Sequence, residues 1–374
     1  MKVRVMLSAA ICAAVSFAAE NDIAKWDPRM AVEKASVDTN GVKWIDGKYL
    51  PIEGRMFDNV DEYYDRLPST VTTNVNGGVR SMKHHTSGLQ FRFSTDSKSL
   101  DIRWINRNPG GMDHMANTGS AGIDVYRRAP GGKWAYYKTG RVWGNEHSLK
   151  CDWRPGDECI INLPLYNGIK SFRLGIDKDA SVKALGPRAS GVNKPVVFYG
   201  TSITHGGCCC RPGLAFVNIV GRDLDVPVVN LGFSGCGIME YEMSEHLAAI
   251  DASCYVLDCL WNMNMSSSGG KGRNVDENYE PFIRNLRAKR PGVPIVMAEQ
   301  CDVFCGPPNA KDRFMKALYE KLVAEGWKNL VYLSKDGMYS GDGEGTVDGC
   351  HPNDLGMRSM AKAFGGAVRK ALGL

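Results

Sequence analysis

Beyond its first residues this chain has no apolar stretch long enough to cross a bilayer as a helix. Charge of one sign is also missing. With 46 basic and 41 acidic residues, the formal charge is only +5 and is scattered along the chain. That leaves no footprint for nucleic acid, and no nucleic-acid partner is expected. No two cysteines have C-x-x-C spacing, so the chain lacks the usual zinc-ribbon signature. Histidine is scarce, seven residues in 374, so any histidine chemistry must come from a short roster. No internal repeat or low-complexity tract is present.

What is there begins with a leader. Lys2 and Arg4 precede an apolar run at 5–17, and Ser16-Phe17-Ala18 puts small residues at both cleavage-determining positions. Residues 1–18 therefore read as a signal peptide, and the protein is expected to be secreted or periplasmic. Ile11 stands where a lipoprotein cysteine at Cys12 would need a small residue. Losing Lys2 and Arg4 takes the formal charge from +5 to +3.

Eleven cysteines remain, an odd number, so at least one has no partner within the chain. Cys151 and Cys159 flank a turn, and Cys301 and Cys305 lie four apart; either pair could close a local bridge in an oxidising compartment. Cys208-Cys209-Cys210 invites a zinc reading, but three adjacent residues cannot all face one tetrahedral ion. A disulfide from that loop to Cys236, Cys305 or Cys350 is the competing expectation. No metal and no cofactor are expected.

The texture of the chain changes near residue 190. From Gly88 onward short runs alternate apolar and polar, as in Leu89-Gln90-Phe91-Arg92-Phe93 and Leu100-Asp101-Ile102-Arg103-Trp104, with further runs at 122–127, 134–138, 159–163 and 172–176. Regular short strands broken by Gly, Pro and Asp indicate a β-sandwich over 22–185. Residues 186–194, with Gly186, Pro187 and Gly191, read as the linker. After it, strands at 195–199, 226–231, 254–260, 293–298 and 329–333 alternate with helices near 211–224, 240–249, 275–289, 309–325 and 354–372. That alternation predicts a three-layer α/β/α domain on a parallel sheet over 195–374. Six of the eight tryptophans precede residue 190, where most are expected to fill the sandwich core.

The chemistry concentrates at strand ends. Pro195-Val196-Val197-Phe198-Tyr199 runs into Gly200-Thr201-Ser202-Ile203-Thr204, which places Ser202 at a strand-to-helix turn beside free helix N–H groups. Asp348-Gly349-Cys350-His351-Pro352 supplies a histidine with a carboxylate three positions earlier, the two groups a serine needs to become a nucleophile. Of the seven histidines only His351 is so equipped; His205, three residues after Ser202, is expected on the pocket wall. Two more strands end at Gly235 and at Asn262. Asp258 is expected to be a structural hydrogen-bonding group and not a metal ligand.

Ser, Gly, Asn and His in this order resemble the SGNH hydrolases, the GDSL-type esterases and lipases. The branch with an N-terminal β-domain carrying a Gly-x-Asp-Leu-Tyr signature is the closer likeness. Gly122-Ile123-Asp124-Val125-Tyr126 and Met112-Asp113-His114-Met115 look like that signature. The resemblance implies Ser202 as nucleophile, His351 as general base and Asp348 as its orienter. It also implies Gly235 and Asn262 as oxyanion-hole donors beside the Ser202 N–H. Two departures are plain: Thr201 replaces the family's aspartate, and Leu260-Trp261-Asn262-Met263 replaces Gly-x-Asn-Asp, which leaves Asn264 as a rival to Asn262. The resemblance further implies a secreted esterase acting on acyl groups, acetyl foremost, of a carbohydrate. The alternatives are a lipid or small-molecule acylhydrolase, or a glycan-binding protein with a vestigial hydrolase domain. The polar, glycine-rich segment 109–122, with Asp113 and His114, is expected to reach the rim of the Ser202 pocket and hold the sugar.

Overall fold

The computed structural model describes residues 35–144, 146–269 and 272–374; the expected leader at 1–18 and Trp26 lie outside them. The first part is built from β1 (Ser36–Val37), β2 (Val42–Asp46), β3 (Ile52–Glu53), α1 (Gly77–Met82), β4 (Gln90–Thr95), β5 (Ser99–Asn106), α2 (Asn117–Ser120), β6 (Ile123–Arg128), β7 (Ala135–Gly140), β8 (Glu146–Asp152), β9 (Glu158–Asn162), β10 (Ile169–Asp177) and β11 (Val182–Ala184). One sheet runs β1-β2-β10-β5-β8 and the other β11-β4-β9-β6-β7, with β3 also on β4. All these pairings are antiparallel. The alternation legible in β5 is the reason: Leu100, Ile102 and Trp104 are buried while Asp101 and Arg103 face outward. With Phe91, Phe93, Val125, Ile161 and Phe172 they form one core. Trp44, Trp104 and Trp153 are buried, whereas Trp143 is 73 % exposed.

The second part carries β12 (Val196–Gly200), α3 (Ser202–His205), α4 (Phe216–Leu224), β13 (Val228–Gly232), α5 (Tyr241–Ala248), β14 (Cys254–Asp258), α6 (Val275–Lys289), β15 (Ile295–Ala298), α7 (Ala310–Ala324), β16 (Leu330–Leu333) and α8 (Asp354–Leu372). Its sheet is parallel, in the order β13-β12-β14-β15-β16. Alternate residues serve opposite layers. Val197, Tyr199, Leu231 and Leu257 pack with α5, α6 and α7, while Val196, Phe198 and Val256 pack with α4 and α8. The chain starts at β12, moves to β13 on one side, then returns to β14 on the other. The switch leaves a crevice at the carboxyl end of β12, where open α/β sheets bind ligands.

Two sequence expectations need correction. Leu67, Val71, Val75 and Val79 lie within the stretch assigned to the sandwich, yet they pack into the α5–α7 side of the parallel domain. Strand β11, paired with β4, ends before the expected linker 186–194, and Arg188 within that linker is pinned by Glu53 and Asp225. All eleven described cysteines are free. Cys151 and Cys159 sit on β8 and β9 and pack as small hydrophobes in the sandwich core. Cys301 is buried and accepts the Trp261 indole N–H at 3.0 Å, while Cys305 is exposed.

The two parts are clamped by the signature residues. Asp124 is fully buried; its Oδ2 accepts from Arg211 Nη1 at 2.8 Å and from the Gly213 N–H at 2.9 Å, and its Oδ1 accepts from Asn162 Nδ2 at 2.8 Å. Tyr126 accepts from the same Arg211 at 2.6 Å. Burial alone would lower the Arg211 guanidinium, but Tyr126 and Asp124 more than offset that and hold it further up. Beside this clamp, a Cβ on Gly119 would stand 1.9 Å from the Cys209 carbonyl oxygen, so only glycine allows the backbones to meet there. Deeper in the joint, Arg66 donates to the carbonyls of Asn230, Gly232 and Met82.

Removing the buried Asp124 carboxylate strands the half-buried Arg211 cation and the Gly213 N–H, so Asp124→Ala should cost about 3 kcal/mol, measured as a fall in the denaturant midpoint at constant slope. A cost under about 1 kcal/mol would mean that the clamp is not structural. A second buried carboxyl, Asp258, receives the Thr204 hydroxyl at 2.7 Å, and burial pushes it up to about 7. Because the folded value lies above the ordinary one, the neutral acid favours the fold; that contribution is complete in acid and is lost as pH rises through 7. Asp258→Asn should therefore gain Tm over the parent by several degrees from about pH 5 to about pH 9. A Tm difference that does not change with pH would exclude this.

Candidate active site

Ser202 opens the short helix α3 immediately after β12. Thr201 caps that helix by accepting the Ile203 N–H, and Gly206 ends it in the left-handed region. Ser202 is 8 % exposed. Its Oγ lies 2.9 Å from His351 Nε2, and His351 Nδ1 lies 2.7 Å from Asp348 Oδ2. With Asp348 on Nδ1, the ring proton belongs there, and Nε2 is free to accept from the serine hydroxyl.

The D-x-x-H spacing works because the loop folds back on itself. Asp348 Oδ1 accepts the backbone N–H groups of His351 at 2.7 Å and Cys350 at 3.0 Å, and the Thr346 hydroxyl holds the His351 carbonyl at 2.8 Å. Partial burial pushes the Asp348 carboxyl up, but these N–H groups and the imidazole outweigh it and bring it down to about 2. A carboxylate that stays ionised beside the imidazole favours proton transfer to Nε2.

The other two predicted donors occupy the neighbouring strand ends. β12 and β13 are level at Gly200 and Gly232, so the turn carrying Gly235 leaves the sheet at the same level as the turn carrying Ser202. Its φ of +68° is a conformation that glycine adopts without strain. Strand β14 ends at Asp258, and Asn262 belongs to a 3-10 turn (Leu260–Asn262), not to the strand as expected. The Asn262 amide is best satisfied with Oδ1 accepting from the N–H groups of Cys236 at 3.1 Å and Gly237 at 3.2 Å, which leaves its NH2 as the donor on the other side. Asn264 is exposed, and its backbone pairs with Asn274.

The segment 109–122 does reach this rim. The His114 ring lies 5.7 Å from the His351 ring, and its Nδ1 is 2.8 Å from Asp113 Oδ1. The Thr118 hydroxyl donates to the Cys210 carbonyl, which fastens the segment to the loop after α3. His205 is placed differently from its expectation. It is fully buried beneath the site, stacked on Tyr166 at 4.1 Å and 3.4 Å from His85, so it lines no accessible wall. Burial, Arg66 and His85 keep its imidazole neutral. Asp258 is the structural group it was expected to be, held by Thr204.

The three adjacent cysteines diverge, as expected for residues unable to share one ion. Cys209 lies in the core, Cys210 is exposed, and Cys208 is turned toward His351 and Asp348. Burial, with Asp348 and Cys350 nearby, pushes the Cys208 thiol up to about 12, so it is not a nucleophile at neutral pH.

Sequence reasoning missed Tyr166, whose hydroxyl donates to the Ser202 carbonyl at 3.1 Å. It also missed Asp124, Tyr126 and Arg211 as the joint. Only the membership of Asp124 and Tyr126 in the signature could have pointed to the joint; nothing in that signature marks Arg211.

Residues 193–369 match the GDSL-like lipase/acylhydrolase family, and residues 42–182 match the N-terminus of SGNH-hydrolase-type esterases. A protein described as a GDSL-like lipase from Bacteroides ovatus is similar at 28 % identity and a TM-score of 0.76, over 89 % of this chain and 98 % of its own. A salicylyl-acyltransferase from a tetracycline biosynthetic pathway shares the fold at 19 % identity and a TM-score of 0.69, over 90 % and 99 %. A family two carbohydrate esterase from Clostridium thermocellum shares it at 13 % identity and a TM-score of 0.53, over 77 % and 93 %. No curated protein sequence matches. A fold, two adjoining family matches and an esterase-type site thus agree: the chain belongs to the SGNH/GDSL-type hydrolases, in the branch with the Gly-x-Asp-Leu-Tyr N-terminal domain, and is an acyl-ester hydrolase.

Proposed function

We propose that this chain is an exported serine esterase that removes acyl groups, acetyl foremost, from a carbohydrate. The hydrogen-bonded line from Asp348 through His351 to Ser202 is the observation that carries the reading. Ser202 Oγ attacks the ester carbonyl while His351 Nε2 takes its proton, and Asp348 steadies the imidazolium. The resulting oxyanion is held by the backbone N–H groups of Ser202 and Gly235 and by the Asn262 amide. His351 then returns the proton to the departing sugar oxygen, and a water molecule, activated the same way, releases the acid.

Support for a sugar is of a different kind. Carbohydrate esterases share the fold, and the segment carrying His114 and Asp113 offers polar groups beside His351. The hydrogen-bonded line favours this reading over a glycan-binding protein with a vestigial hydrolase domain, since an unused site has no reason to hold three polar groups in register. Export rests on the leader at 1–18.

Ser202→Ala should lower kcat on nitrophenyl acetate by at least ~10⁴-fold without unfolding the protein, His351→Ala by a similar factor, and Asp348→Asn by less. Activity retained in Ser202→Ala would remove the nucleophile. Asn262→Ala should cut kcat by roughly 10²–10³ with little change in KM, because the amide meets charge only in the transition state. If Asn264→Ala gives that loss and Asn262→Ala does not, the donor is Asn264. His114→Ala should impair hydrolysis of an acetylated polysaccharide far more than that of nitrophenyl acetate, since only the larger substrate uses remote binding. Equal losses on both would place His114 outside the sugar site.

A further inference from the structure

The rim of the site holds a second constellation. A ring nitrogen of His114, the Sγ of Cys208 and a ring nitrogen of His351 lie within 4.8 Å of one another. Both imidazoles have Nδ1 on a carboxylate, His114 on Asp113 at 2.8 Å and His351 on Asp348 at 2.7 Å. Such pairing assigns the ring proton to Nδ1 and leaves the Nε2 lone pair free, the arrangement found behind metal-bound histidines. Cys208 is held in the left-handed region at φ +68° and is almost fully buried, so its thiol is already placed.

Two imidazoles and one thiolate suit a borderline-soft divalent ion with one open position. Bond lengths of about 2.0–2.3 Å around a tetrahedral ion set its ligands roughly 3.3–3.6 Å apart, so binding draws the three groups together. We propose that His114, Cys208 and His351 form an inhibitory zinc site that joins the two domains across the mouth of the active site. On binding, Cys208 releases its proton to solvent as the sulfur–zinc bond forms. His351 Nε2 exchanges its hydrogen bond to Ser202 for the metal, and no electron is transferred. The serine then has no base, and hydrolysis stops until the ion leaves. The effect on activity rests on the proposed role of His351; the binding does not.

Zinc chloride titrated against the full chain should suppress nitrophenyl acetate hydrolysis at least roughly tenfold, with recovery on adding dipicolinate. Cys208→Ser should hydrolyse the ester near the parent rate yet require at least about tenfold more zinc for the same inhibition. Equilibrium dialysis reads binding separately. It should find one zinc per chain in the parent and in Ser202→Ala, and binding weakened by at least about tenfold in His114→Ala. No inhibition by zinc, no stoichiometric binding, or a Cys208→Ser or His114→Ala variant as responsive as the parent would overturn the site. If the chain hydrolysed no ester while dialysis still found one zinc, lost with His114→Ala and Cys208→Ser, the zinc site would stand and the hydrolytic reading would fall.

Discussion

A carboxylate with no access to water sits at the joint between the two parts of this protein. Asp124 is tolerable there only because Arg211, the Gly213 N–H and Asn162 supply three donors to its two oxygens. Two of those donors lie a few residues beyond Ser202, on the loop leaving α3. The clamp therefore ties the conformation of the Ser202 loop to the sandwich. Thr118 on the Cys210 carbonyl and Tyr166 on the Ser202 carbonyl act in the same direction from neighbouring positions. In physical terms the sandwich is one wall of the site, not an appendage.

The sheet supplies the other wall. Ser202, Gly235 and Asn262 reach one crevice because β13, β12 and β14 are neighbours and end level with one another at Gly232, Gly200 and Asp258. The loop holding Asp348 and His351 approaches from the start of α8, and its carboxylate is fixed from below by its own backbone N–H groups. Each element needs only local chemistry to be correct, and the parallel register converts that into a common site.

This explains what could be read from the chain and what could not. The parallel strands were legible because buried strands are continuous apolar runs, and α6 and α8 because their apolar spacing is helical; both helices fall on the residues anticipated. β8 was not anticipated, since Glu146–Asp152 buries only His147, Leu149 and Cys151 among charged neighbours and looks like a surface loop. Leu67, Val71, Val75 and Val79 carry no mark of which core they join, because hydrophobicity is not directional. The line from Ser202 to His351 was legible as order along the chain. The Asp124–Arg211 contact, 87 residues apart in sequence, was not, because nothing local requires either residue to have a distant partner. His205 shows the reverse error: proximity to Ser202 in sequence suggested a wall residue, but one turn of helix carries it underneath.

One consequence of the joint concerns the two carboxylate–imidazole pairs. His351–Asp348 belongs to the parallel domain and His114–Asp113 to the sandwich, yet their rings lie 5.7 Å apart. Each pair orients its own Nε2 without reference to the other. On the two proposals a bound carbohydrate and a bound cation would compete for the same two groups, and the clamp, with the Thr118 and Tyr166 contacts, keeps those groups close enough for either to bridge them. On those proposals, recognition at this rim is a property of the domain arrangement, and a change at Asp124, well inside the protein, would reach it without touching a single residue that meets the ester.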